Sequence, residues 1–301
     1  MIEDSNEFCL YVYVIIDEIC EQLAPFMKRP GPDPVCSDSE LIAIALISEC
    51  KGWDVETELL SNWQCHQDLF PNIPSQSRFN RRRRNLMFII NWIRRMLLAG
   101  IDMAQDNQCV IDSLPIPVVN FHLAPASTGD WQACEASYGP VSSKKETIFG
   151  YKLHLLVTMG GIIIDFVLAP AHVTDLEAGR DLFFSHTDLQ IIGDKAYISA
   201  DIAAELWRTN RILLQTLPRK NQKKQVSKPV RKIINRVRQI VETVNGQLDG
   251  QFNIETNHAH TFWGLCARLY TKLTAHTLCV HINRLLGKPD FLQIKALAFP
   301  N

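Results

Sequence analysis

Long apolar runs are missing from this chain. No stretch approaches the roughly 18 residues that a bilayer span requires, and the opening Met-Ile-Glu-Asp is acidic where a secretory leader is basic. A cytoplasmic protein without a membrane partner is expected. Cys-x-x-Cys pairs are missing too. The nine cysteines are scattered from Cys9 to Cys279, an odd set that reads as reduced thiols rather than a disulfide framework. Acidic residues are missing from two stretches. Residues 69–100 hold 7 arginines and no Asp or Glu, with Arg81, Arg82, Arg83 and Arg84 consecutive. Residues 208–238 hold 11 Lys or Arg and again no acid.

What is present is ordinary for a folded protein. Over 301 residues, 47% are hydrophobic and 21% charged, which excludes disordered, fibrous or collagen-like chains and leaves room for about two domains. The formal net charge of −1 conceals its distribution, because residues 1–68 carry 14 acids against 3 bases. A single charge run is commonly a solvated face. Two acid-free basic blocks in one chain instead suit a polyanion whose counterions are released on binding.

The first hundred residues read as helices. Residues 8–27 are apolar-rich and end at Pro30-Gly31-Pro32, and Ser37 with Glu40 forms a capping box ahead of residues 41–48. Over residues 76–98, Phe79, Leu86, Ile90, Ile93 and Leu97 recur every three or four positions. The spacing predicts one amphipathic helix with Arg78, Arg81 and Arg82 off its apolar stripe. After Gln108 the pattern turns to strands: 109–111 ending at Asp112, then 149–159 and 162–169 around the Gly160-Gly161 turn. A helix at 175–185, a strand at 189–192 ending near Asp194, a helix at 199–209, a strand at 212–217 and a helix at 230–248 follow. The last helix carries the stripe Ile234, Val237, Val241, Val244 and Leu248. The order βββαβαβα predicts an α/β domain of ribonuclease-H-like type, with a mixed five-stranded sheet flanked by helices. A helical, DNA-end-binding domain is expected over 1–104. The catalytic domain with C-terminal helices is expected over 105–301.

Metal-assisted phosphoryl transfer needs hard oxygen ligands on the attacking and leaving oxygens. Asp112 and Asp194 sit at the ends of strands that are neighbours in this topology, and Glu242 lies beside the last helix's apolar stripe. Taken alone, Glu242 could equally form an exposed ion pair with Arg238.

The segments Val-Ile-Asp-Ser-Leu-Pro around Asp112, Ile-Ile-Gly-Asp-Lys-Ala-Tyr around Asp194 and Arg-Gln-Ile-Val-Glu around Glu242 resemble the three acidic motifs of DDE transposases from bacterial insertion sequences. Further likeness lies in Ser37-Asp-Ser-Glu-Leu-Ile, Pro74-Ser-Gln-Ser-Arg-Phe-Asn-Arg-Arg and Gly150-Tyr-Lys-Leu-His. The chain is most similar to the family of insertion sequence nine-eighty-two. The resemblance implies a core that holds two Mg²⁺ or Mn²⁺ ions on Asp112, Asp194 and Glu242. It also implies a reaction that nicks DNA at terminal inverted repeats and joins the 3′ ends to target DNA. In one departure, Asn235 and Asp249 stand where a related signature has Tyr and Lys.

The expected DNA contacts are Arg78, Arg81, Arg82, Lys195, Arg219, Lys220, Lys223, Lys224, Arg231, Lys232 and Arg238. Double-stranded DNA is the expected partner, bound by a homodimer or larger assembly. Two alternatives are a nuclease of the same fold that does not join strands, and an inactive DNA-binding relic. Among other residues, Asp175 reads as a helix cap, Asp165 as the outward face of its strand, and His154 as a satisfied core histidine. His258, His260, His276, Cys279 and His281 fit no standard zinc spacing.

Overall fold

Asp4 accepts the Glu7 N–H at 2.8 Å and so opens α1 (Ser5–Met27) by satisfying one of the first-turn donors that a helix leaves unpaired. In the computed structural model the chain is described over residues 2, 4–101, 106–127, 129–141, 144–216, 228–288 and 292–299, with backbone alone over 228–238. The capping box is present: Ser37 Oγ accepts from the Glu40 N–H at 3.0 Å and Glu40 Oε2 from the Ser37 N–H at 2.6 Å. It starts α2 (Asp38–Cys50), which is buried on almost every side and is therefore a central helix.

Then follow α3 (Glu56–Gln64), α4 (Gln76–Asn85) and α5 (Met87–Ala99). The single helix expected over 76–98 is thus two. Leu86 sits between them at φ −92°, ψ 0°, a bridge conformation that ends one hydrogen-bond ladder and starts another. The stripe survives the break, since Phe79, Leu86, Ile90, Ile93 and Leu97 are all buried.

The second half of the fold is built on β1 (Gln108–Val119). A 3₁₀ turn at Phe121–Ala126 and the short α6 (Gly129–Ala133) lead to β2 (Ser137–Val141), β3 (Glu146–Thr158) and β4 (Ile163–Pro170). The remaining elements are α7 (Asp175–Phe184), β5 (Gln190–Gly193), α8 (Ala200–Asn210), β6 (Leu213–Thr216) and α9 (Lys228–Gly250). The strand order is β2-β3-β1-β5-β6, and β4 also pairs with β3. β1 runs antiparallel to β3 and parallel to β5, so the sheet is mixed. It is flanked by helices, an arrangement consistent with a ribonuclease-H-like domain.

Two sequence expectations need correction. The sheet has six strands rather than five, because β2 pairs with residues 146–150 of β3 while β4 pairs with 151–157. Gly139 and Pro140 in the middle of β2 disguise it, since neither favours a strand and proline is confined to edges. Gly139 is required there: a Cβ would lie 1.9 Å from the Ala171 carbonyl oxygen.

β1 also does not stop at Asp112. Its parallel pairing with β5 ends at Ile111 opposite Gly193, while its antiparallel pairing with β3 runs on to Val119. Beyond Ile111 it pairs along the β3 side, and Pro115 and Pro117 suit such an edge. The register slips between Pro117 and Val119, opposite Gly150, whose φ of +152° is open to glycine alone.

Cys109, Ile111, Leu156, Leu182, Phe183, Ile191, Tyr197, Leu206 and Ile212 form the core of this part. Thr174, rather than Asp175, caps α7, accepting the Glu177 N–H at 3.3 Å. Asp175 is the first helical residue and pairs with Lys152 instead.

Thr261 caps α10 (Phe262–Leu285), and α11 (Lys295–Ala298) follows. α10 packs against α5 and α2. Lys272 on α10 is buried and paired with Glu49 of α2 at 2.7 Å. Arg268 lies 2.8 Å from Glu56, which Arg83 also reaches at 2.6 Å. The chain therefore divides into two compact units, one of Met1–Asp102 with Leu248–Asn301 and one of Met103–Gln247. The C-terminal helices α10 and α11 thus pack with the N-terminal helices. The ion pairs buried between α10 and the N-terminal helices are the physical reason.

Candidate active site

The parallel pair β1–β5 fixes the first two acids. Ile111 is the register partner of Gly193, so Asp112 and Asp194 are the next residue on each of two adjacent strands. They lie at the carboxyl end of that pair, where ligands bind in open α/β sheets. Both are half-buried. Asp194 Oδ1 accepts the Ala196 N–H at 2.7 Å and begins a 3₁₀ turn over Lys195–Tyr197. Asp112 Oδ2 accepts from Asn245 Nδ2 of α9 at 3.1 Å.

The turn after Asp194 folds Tyr197 into the core, with 1% of its surface exposed. Its hydroxyl is 2.9 Å from His154 Nδ1. Burial holds the Tyr197 hydroxyl well above the usual phenol range, helped by Asp175, Asp112 and Asp194. All three carboxylates therefore act electrostatically on one buried hydroxyl. Burial pushes His154 down to about 4, against the pull of Asp175. Its Nε2 is buried without a hydrogen-bond partner among the described residues, so the core histidine expected from sequence is satisfied on one ring nitrogen only.

A recess of about 300 Å³ is lined by Ser113 and Ala196 together with Lys152, His172, Thr174 and Asp175. Lys152 Nζ is 3.1 Å from Asp175 Oδ1, and His172 Nδ1 is 2.8 Å from Ser137 Oγ. Lys152, Asp175 and Tyr197 are the residues that sequence reasoning missed as neighbours of the acids, and Asn245, expected on the polar side of Glu242, was missed as a partner of Asp112. Lys152 and Tyr197 lay inside segments already singled out, and Asn245 lies three positions after Glu242.

Glu242 itself is exposed. It stands one turn before Asn245, and residues three apart share a helix face. Among the described residues, no group of three His, Cys, Asp or Glu side chains is close enough to hold a metal ion.

The predicted DNA contacts divide three ways. Arg78, Arg81 and Lys195 are exposed. Arg82 is committed to Asp38 at 2.7 Å and to the Ser37 carbonyl at 3.0 Å. Arg219, Lys220, Lys223 and Lys224 lie outside the described residues, and Arg231, Lys232 and Arg238 lie on α9 where backbone alone is described.

The model of the family described as a transposase DDE domain matches residues 109–261, just over half of the chain. The chain belongs to the DDE transposase family. No curated protein and no solved structure matches it. The matched span contains Asp112, Asp194 and Glu242, and it places the sheet, α7, α8 and α9 of this transposase in the DDE domain. Membership implies DNA as partner and divalent-ion chemistry. No helix among the described residues is long and apolar enough to cross a membrane.

Proposed function

We propose that this protein is the transposase of a bacterial insertion sequence, closest to the family of insertion sequence nine-eighty-two. It nicks DNA at terminal inverted repeats and joins the 3′ ends to target DNA. The observation that carries the reading is the placement of Asp112 and Asp194 side by side where the parallel pairing of β1 with β5 ends, with α9 held to Asp112 through Asn245.

The donor set fits a hard divalent cation. Two half-buried carboxylates on adjacent strands supply oxygen ligands of the type that Mg²⁺ and Mn²⁺ take. Asp112 and Asp194, with Glu242 from α9, are the proposed ligands of two ions. When bound, such ions supply an acidified water or 3′ hydroxyl and a counter-charge for the leaving oxygen.

The chain's own residues do the positioning. Asn245 orients the Asp112 carboxylate, and the Ala196 N–H orients that of Asp194. Lys195 and Arg238 are placed in sequence to meet phosphate oxygens beside the acids. Tyr197 keeps its proton and pairs with His154 on β3, the register partner of Ser113. The remaining proposed DNA contacts are Arg78, Arg81 and the basic block 208–238, in a dimer or larger assembly with two DNA ends.

A strand-transfer assay with labelled repeat-end duplex, target plasmid and Mg²⁺ or Mn²⁺ tests the reading. Joined product is expected, and its loss in Asp194→Asn is required. Hydrolysis without joining would point instead to a nuclease of the same fold.

A further inference from the structure

The helical unit contains a recess of about 200 Å³, smaller than the clefts that enclose whole ligands and sized for one small group. Its floor is Arg83, Arg268 and Glu56, and its mouth is Arg84, His258 and His260. Arg83 and Arg268 are 3% and 5% exposed, yet they share the one carboxylate of Glu56, at 2.6 and 2.8 Å. Asp54 is a further acid nearby. Its Oδ2 is 3.7 Å from His258 Nε2, and its carbonyl accepts from Arg268 Nη1 at 2.9 Å. Among the residues lining the recess, the two buried guanidinium groups thus share the Glu56 carboxylate, while Glu49, which also acts on Arg83, is held by Lys272.

Surplus buried charge of this kind is costly unless a counter-charge completes it. Burial and the neighbouring Arg268 push the Arg83 guanidinium down to about 10 against the pull of Glu56 and Glu49, the direction expected of a desolvated cation. Arg83 Nε is buried with no hydrogen-bond partner among the described residues. Thr261 and Gly264 also line the recess, so the opening turn of the 24-residue α10 borders it. The positive end of that helix favours an anion.

We propose that this recess is a phosphate-binding site that takes one backbone phosphate of duplex DNA. Arg84 and His260 contact the phosphate oxygens directly, and Arg83 with Arg268 supplies the buried counter-charge. The ligand class follows from the geometry of guanidinium forks, which match tetrahedral oxyanions. DNA as the source rests on the protein's acting on DNA. Neither Arg84 nor the histidines belong to the DNA contacts expected from sequence, and the site lies outside the sheet unit that carries the acids.

The test uses the full chain. Arg84→Ala/His260→Ala removes two exposed groups and leaves the buried triad in place, and its thermal unfolding without ligand should match wild type. Duplex binding by fluorescence anisotropy should weaken about tenfold. The slope of log affinity against log salt should become shallower by about 0.9, the signature of one lost phosphate contact. Inorganic phosphate should raise the wild-type melting temperature above that in chloride, and should not do so in the variant.

Unchanged duplex affinity and slope would overturn the proposal. Unchanged duplex binding together with phosphate protection of wild type alone would also overturn it, in favour of a free-phosphate site. Asp194→Asn, run alongside, separates the two readings. If it loses strand cleavage while the Arg84/His260 variant binds DNA normally, this site fails and the proposed function stands. If the pocket variant loses binding while Asp194→Asn cleaves normally, the reverse holds.

Discussion

Asn245 Nδ2 donates to Asp112 Oδ2 across 3.1 Å, joining residues 133 positions apart in sequence. The bond ties α9, and with it Glu242, to the strand that carries the first acid. Asn245→Ala should leave duplex binding intact while lowering strand cleavage by about 10- to 100-fold, as loss of a ligand-orienting partner does. Raising Mn²⁺ should recover part of the activity. A cleavage titration against Mn²⁺ checks this, and full activity at every metal concentration would remove the orienting role.

Asp194 both caps a turn and faces the strand-end site. Asp194→Asn keeps a side-chain oxygen to accept the Ala196 N–H, so the 3₁₀ turn should persist and the melting temperature should stay within about 3 °C of wild type. Cleavage should fall to background while duplex binding is retained. Gel analysis of labelled ends, with anisotropy on the same preparation, distinguishes a lost ligand from a lost fold.

Lys272 and Glu49 form a buried pair in the helical unit. Removing one partner leaves an uncompensated charge, and Lys272→Met should cost about 3–5 kcal/mol in denaturant unfolding. Lys272→Met/Glu49→Leu should recover much of that loss. Equal destabilisation by the single and double variants would show that packing, not charge, is at stake.

His276 is fully buried on α10, and burial pushes it down to about 4. The unfolded chain binds a proton near the ordinary pKa of about 6.5, and the folded chain resists it. The stability linked to this group is therefore complete above pH 6.5 and is lost as pH falls toward 4. The limiting slope is about 1.4 kcal/mol per pH unit. Denaturant melts of His276→Gln and wild type between pH 4 and 7 should differ by that slope, and parallel curves would argue against it.

Elements with strong local patterning were legible in the sequence. The capping box at Ser37, the stripe from Phe79 to Leu97 and the Gly160-Gly161 hairpin follow from spacing alone. β2 was not, because Gly139 and Pro140 erase its period and its place depends on a close approach to Ala171. The length of β1 was missed for a related reason. Pro115 and Pro117 read as a loop until antiparallel pairing with β3 beside an edge makes them tolerable.

At the site, Asp112 and Asp194 were legible as polar punctuation after short apolar runs. The bond from Asn245 to Asp112 and the Lys152–Asp175 pair were not, because they depend on which elements meet. Arg82 and Arg83 were legible as charge but not as use. Both are spent on acids, Asp38 and Glu56, that lie 44 and 27 positions earlier.

The helical unit is assembled from chain segments that precede and follow the sheet unit in sequence, and this orders events during synthesis. α2 and α5 emerge from the ribosome early, with apolar faces that wait for α10 while 145 intervening residues (Met103–Gln247) are translated. A fragment ending at residue 104 should consequently aggregate rather than fold, and the recess over Arg83 and Arg268, whose walls come from both stretches, should exist only in a chain that has reached Arg268.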